Sequence, residues 1–277
     1  MPKAKYVIFK LLKYLTLLLG SFAIIIPIIV VFFASFKTSE EYGRSGALAL
    51  PESFLNLANY QKAFVDGNML LGFLNTFIIL FVAITGAIII GTMVAFVLSR
   101  FTFRTRNLIL GAFLLATLIP GITTQVATFQ IINRLGVYNT RLATILLYLG
   151  TDIIAVYIFM QFINSIPVSL DESAMLDGAS YLTIYSRIIL PLLKPAITTI
   201  LIIKGVGIYN NFYLPFLYMP RKDLQVVSTA LFKFKGPYGS QWGVICAGII
   251  IAIIPTLILF LALQKYVYNG FTQGSVD

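Results

Sequence analysis

The sequence predicts an all-α, polytopic membrane protein with six transmembrane helices, and three observations carry that prediction. The 277-residue chain is 59% hydrophobic and only 11% charged, whereas soluble domains carry about 25% charged residues. Its apolar residues gather in runs that match the roughly 20 residues a helix needs to cross hydrocarbon, where every backbone group must be satisfied within the helix. Its polar residues collect in the short stretches between those runs.

The first apolar run extends from about residue 11 to 36, behind the basic segment of Lys3, Lys5, Lys10 and Lys13. A signal peptide would have an apolar region of only about 7–15 residues, so the run reads as an uncleaved first span. Residues 37–69 then form an outer loop with Glu40, Glu41, Pro51, Asn59 and Tyr60. It is too short for a domain and long enough to cap a vestibule. Span two covers 70–99 and ends at the tight basic turn of Arg100, Arg104 and Arg106. Span three, 107–131, is interrupted by Pro120-Gly121 and followed by Thr123, Thr124 and Gln125, which predicts a kink or break that only a bundle interior tolerates. Span four is placed at 142–164, span five at 195–218 and span six at 243–265. The expected division is an N-terminal span with its outer loop (1–69) and a core transmembrane domain (70–277) whose inner loop is 165–194.

The net charge of +10 belongs to loops, so it speaks to orientation and anionic headgroups and not to nucleic acid. With the N-terminus inside, ten basic residues lie on the cytoplasmic side and nine outside. The clustered leading lysines favour that orientation, with both termini cytoplasmic. The single cysteine, Cys246, allows no internal disulfide, and histidine is absent. The sequence thus offers neither a metal cluster nor the usual proton relay.

The inner loop is the most structured polar stretch. Ser169-Leu170-Asp171-Glu172 has the spacing of a capping box, and the acidic first turn suits the helix dipole. Gly178 stands where a positive-φ stop is expected. The prediction is a short helix from about Leu170 to Asp177, exposing Ser173, Ala174, Met175 and Leu176. Ser180 is expected to cap a second helix running to about Leu190, ended by Pro191 and Pro195. Such a loop is either a surface for a cytoplasmic protein or an interfacial helix at the headgroups. Its small-residue surface suits close packing against protein.

At these residues the chain resembles a family. Glu172-Ser173-Ala174-Met175-Leu176-Asp177-Gly178-Ala179-Ser180, followed by Ile188-Ile189-Leu190-Pro191, resembles the EAA loop of permease subunits of ATP-binding-cassette importers, with Ser173 where alanine is usual. Ser35-Phe36-Lys37-Thr38, Leu57-Ala58-Asn59-Tyr60, Asn75-Thr76, Ile119-Pro120, residues 135–140 and Ile166-Pro167 are similar to the carbohydrate-uptake subfamily that includes the second maltose permease subunit. The tail, Gln264-Lys265-Tyr266 with Gly270, Thr272 and Gly274, also fits, although Val276-Asp277 replaces the usual basic end. The resemblance implies a type I importer permease fold. It implies that Glu172, Ser173, Ala174, Met175, Leu176, Asp177, Gly178, Leu190 and Pro191 couple the chain to two copies of an ATPase that carries ATP and magnesium. A second permease subunit, an extracellular sugar-binding protein and membrane lipids complete the implied partners.

The residues independently call for a partner, because no G-x-x-x-x-G-K-[ST] loop is present and the chain has no nucleotide site of that kind. No cofactor and no enzymatic activity of its own are expected. Span five carries Tyr209, Asn210, Asn211 and Tyr213, and two asparagines in a span should face the interior. Tyr209 and Tyr213, four apart, should share a helix face. Aromatic faces with amides suit a sugar, and they suit helix-to-helix packing equally. Thr124 and Gln125 are further candidates for the path. Lys204 is a lone intramembrane charge, expected near a span end or against a partner. Asp152 is expected to start span four. The competing function is an ion-coupled secondary transporter of small polar solutes, which needs embedded carboxylates or histidines that the spans do not convincingly supply.

Overall fold

The computed structural model describes residues 3–150, 153–236 and 239–273, so the position of Asp152 and the last four residues lie outside the described part. Among the described residues, three helices are long and apolar enough to span a bilayer: α1 (Lys3–Phe36), α4 (Met69–Arg100) and α15 (Trp242–Gln273). Two bent helix pairs are also long and apolar enough when each pair is taken together. One joins α7 (Arg141–Leu149) and α8 (Ile153–Ser165) at 44°. The other joins the helical stretch Tyr181–Leu192 to α12 (Lys194–Asn210) at 70°. With the shorter apolar helix α5 (Arg106–Thr117) these accommodate the six expected spans, although Tyr181–Leu192 lies in the expected loop 165–194 and only α12 stands where span five is expected to start.

Span three is shorter than 107–131. α5 stops at Thr117, and α6 (Gln125–Arg134) starts only after a series of turns. Pro120 has no amide hydrogen and restricts the residue before it, so the helix cannot run through. The hydroxyls of Thr117, Thr123 and Thr124 bond the carbonyls of Leu114, Pro120 and Gly121 at 2.6, 2.6 and 3.0 Å, which satisfies backbone groups freed by the break.

Two compact units organise the chain. The first comprises Met1–Leu70 with Ala230–Leu257. Here α1 ends against the short helices α2 (Ser39–Arg44) and α3 (Ala58–Val65). Asn59 donates to the carbonyls of Ser35 and Lys37 at 2.9 and 2.8 Å, and the Ser35 and Tyr60 hydroxyls meet at 2.7 Å. Lys37 is buried, with Nζ donating to Ser45 Oγ and the Gly46 carbonyl. Thr38 and Glu41 form the capping box of α2. A small antiparallel pairing of β1 (Lys235–Gly236) and β2 (Gly239–Ser240) also lies in this unit.

The second unit comprises Leu71–Thr229 with Ile258–Asp277. Helix α4 is its spine. Its N-terminal half packs Ile79, Ala83 and Ile84 against Ile145, Tyr148, Ile208 and Met219. Its C-terminal half packs Ala95, Phe96 and Leu98 against Val156, Phe159, Ile163, Ile184, Ile189 and Leu193. Near the N-terminal end of α4, Asn75 is fully buried. It donates to the carbonyls of Asp223 and Gln225 at 2.9 and 2.8 Å and accepts from Arg141 Nε at 2.8 Å. Thr76 accepts from the Val227 amide at 3.0 Å, so the chain after span five is tied to α4 by side chains and not by a ladder.

Candidate functional site

The loop at 165–194 folds as a short helix, α9 (Ser169–Leu176), followed by α10 (Tyr181–Ile184), a π-helical turn (Tyr185–Ile189), α11 (Leu190–Leu192) and then α12. The C-terminus of α9 is the stop the sequence predicts. Gly178 has φ +80°, its amide bonds the Met175 carbonyl at 3.0 Å, and the Ala179 amide bonds the Ala174 carbonyl at 2.9 Å. This is the two-bond Schellman arrangement that only a positive φ completes without strain. The start of α9 differs from expectation. The cap position is Val168, no side chain caps it, and Ser169 is already helical, so the capping box at Ser169 and Glu172 does not form. The Val168 carbonyl instead accepts from the amides of Asp171 and Glu172 at 2.9 and 3.1 Å. The acid of this turn, Asp171, points inward and is buried.

α9 therefore has two sides. Ala174, and Ala179 after it, pack on the inner core of the second unit. Glu172, Ser173, Met175, Leu176, Asp177 and Gly178 are exposed, Leu176 by 89% of its surface. Ser180 caps α10 as expected, accepting from the Thr183 amide at 3.2 Å. Pro191 does not end the second helix, because it occupies a first-turn position of α11, where its missing amide costs nothing. The break comes at Leu193, and Pro195 lies in the first turn of α12. Leu190 is half-buried on the core and Pro191 is exposed.

Three contacts seat this segment on α4. Tyr185 and Thr92 share a buried hydroxyl bond of 2.8 Å. With the Thr92 proton directed at the Ile88 carbonyl, 2.7 Å away, Tyr185 is the donor. Phe101 and Tyr181 meet edge to face with centroids 4.9 Å apart. Arg100, the last residue of α4, reaches Asp171 and the Ile166 carbonyl.

The span-five candidates are split by the backbone. α12 ends at Asn210, and α13 (Tyr213–Tyr218) begins after a break at Asn211-Phe212. Tyr209 and Tyr213 therefore do not share one helix face. The break has a local cause: Asn211 turns its Oδ1 onto the Leu214 amide at 3.0 Å, and its carbonyl accepts from Ser228 Oγ at 2.8 Å. Asn210 and Tyr213 are exposed and Tyr209 is half-buried. Gln125 donates to the hydroxyl of the buried Tyr218 at 2.9 Å, and Thr124 bonds its own turn. Lys204 is half-buried on α12.

An open groove of about 750 Å³ runs between α5 and α8, lined among others by Thr117, Tyr157, Gln161 and Asn164. Tyr157, Gln161 and Asn164 stand at i, i+4 and i+7, one stripe of α8. That spacing is visible in the sequence, but the apolar residues around it make span four read as uniformly hydrophobic.

A family profile described as "Binding-protein-dependent transport system inner membrane component" matches residues 87–273. The chain is similar to a probable starch degradation products transport system permease of Thermoanaerobacterium thermosulfurigenes, 32% identical over 95% of this chain and 97% of the relative. It is also similar to an arabinooligosaccharides transport system permease of Halalkalibacterium halodurans, 30% identical over 92% of both. A crystal structure of a bacterial ABC transporter involved in the import of the acidic polysaccharide alginate superposes with a TM-score of 0.81. It covers 94% of this chain and 96% of the other at 21% identity, so the fold is shared. The chain belongs to the binding-protein-dependent transport system inner membrane components, the permease subunits of ABC importers, and has their type I fold.

Proposed function

We propose that this chain forms half of a translocation path for a carbohydrate, an oligosaccharide by class, and that a partner ATPase drives it through α9. One observation carries the coupling part. α9 is a rigid, Schellman-terminated knob whose inner side is packed on the permease core while Glu172, Ser173, Met175, Leu176 and Asp177 stand free. A helix held this way passes on a rigid-body displacement, because packed interfaces switch between discrete arrangements and do not stretch. Ala174 seats the knob, and the exposed residues meet the ATPase.

The substrate class rests on the relatives, whose names specify arabinooligosaccharides, starch degradation products and diacetylchitobiose. The Tyr157–Gln161–Asn164 stripe offers a sugar two amides and an aromatic ring within an apolar groove, the Tyr157 hydroxyl donating to the Leu110 carbonyl at 3.1 Å and keeping only its acceptor side free. A second permease supplies the other half of the path, two ATPase copies sit on the cytoplasmic side with both termini, and an extracellular binding protein delivers the sugar.

The experiment is to purify the tagged chain from its native membrane in mild detergent and identify what accompanies it. An ATPase and a second permease are expected. ATP hydrolysis in the presence of the cognate binding protein should rise with arabinotriose, maltotriose or diacetylchitobiose. Leu176→Glu should lower ATPase retention at least tenfold. An active homo-oligomer without an ATPase would overturn the proposal.

A further inference from the structure

We propose that Arg100 and Asp171 form an internal strut that makes α9 and the cytoplasmic end of α4 move as one body. This rests on the reading of α9 as the ATPase-driven element. Arg100 Nε lies 2.6 Å from Asp171 Oδ2, and the two side chains are only 9% and 5% exposed. The second nitrogen, Nη2, donates to the Ile166 carbonyl at 2.9 Å. Arg100 thus holds the chain on both sides of the turn at 167–168 that leads into α9. That turn has no side-chain cap, so Asp171, in the first turn of α9, gives its charge to α4 instead of to its own helix end. Arg100 terminates α4, where a cation also suits the C-terminal dipole.

A buried ion pair is a poor way to gain stability, since well-packed apolar residues do as well or better. What it adds is position. The ion pair and the Ile166 carbonyl compensate the Arg100 guanidinium, and Asp171 Oδ1 has no hydrogen-bond partner, so the Asp171 charge is balanced by Arg100. Sliding α9 along α4 would leave two buried charges uncompensated, whereas an apolar contact would slip by small steps at small cost. The Thr92–Tyr185 bond and the Phe101–Tyr181 contact hold the following segment to the same helix. Arg100 and Asp171 are positioning residues, and α4 is the element through which α9 moves the bundle.

The test uses the assembled transporter in nanodiscs, with amide exchange followed by mass spectrometry with and without ATP plus vanadate. In the wild type, peptides covering 166–180 and 92–104 should both respond to nucleotide. Arg100→Gln and Asp171→Asn should keep the response at 166–180 and lose at least fivefold of that at 92–104. The swap of Arg100→Asp with Asp171→Arg should restore it. If a single variant does not assemble, recovery of assembly by the swap supports the strut, and failure of the swap as well overturns it. A full response at 92–104 in both single variants overturns the strut alone. Absence of a wild-type response at 166–180, with a Ser173→Cys variant that does not cross-link to the ATPase, overturns the docking reading and the strut with it.

Discussion

Gly178 is the position where a single substitution isolates the geometry of the α9 C-terminus. Its φ of +80° lies in the left-handed region, and a Cβ built there meets nothing within 4 Å. Any cost of a side chain is therefore conformational and not steric. An L-residue held in that region costs about 1–2 kcal/mol, and a β-branched one lies at the unfavourable end. Such a cost raises the population with an open C-terminus about 5- to 30-fold. The assay is amide exchange at Gly178 and Ala179, whose protons bond the Met175 and Ala174 carbonyls. Gly178→Val should speed both by that factor, and Gly178→Asn should do so less, because asparagine tolerates the left-handed region. Gly46→Val, equally open and without a positive φ, should leave the exchange of these amides unchanged. Exchange at the wild-type rate in Gly178→Val would refute the reasoning. Equal acceleration by Asn and Val would show that bulk, not φ, sets the cost.

Other sites give further expectations. Thr92→Val leaves the Tyr185 hydroxyl buried without an acceptor, at about 1–3 kcal/mol; the double change Thr92→Val with Tyr185→Phe should recover most of that in thermal unfolding of the purified complex. Asn75→Leu removes the partner of two backbone carbonyls and of Arg141 Nε, and should lower the thermal midpoint more than Asn75→Asp, which still accepts from Arg141. Arg221 donates to Asp223 at 2.8 Å in the loop that follows α13 and holds that carboxyl below its usual range. A depressed carboxylate contributes fully above about pH 4 and less as the pH falls below that. Proteolysis of the 219–225 loop should therefore be flat between pH 8 and pH 5 and rise only in stronger acid.

Much of the site was legible because it depends on local chemistry. Gly178 and Ser180 mark a helix stop and a helix start by their own backbone and hydroxyl requirements, and both are used that way. The Pro120-Gly121 interruption is equally local. The capping box failed because Ser169 entered the helix, leaving Val168 at the cap, a one-residue shift that spacing alone does not resolve. Pro191 was misplaced for a related reason, since a proline is as acceptable inside a first turn as after a last one. The span-five stripe failed because Asn211 bonds the Leu214 amide, and one side-chain bond of that kind replaces a helical register.

The sequence by itself determined the membrane class, the order of the spans and the helix-stop-helix pattern of the inner loop, because hydropathy, glycine and hydroxyl caps act within a few residues. Tertiary structure alone decided which side of α9 is presented and what holds it. Arg100 and Asp171 are 2.6 Å apart in space across 71 residues of chain, and Thr92 and Tyr185 meet across 93. A buried charge or hydroxyl must find its partner wherever packing brings one, and that search runs through the fold and not along the chain.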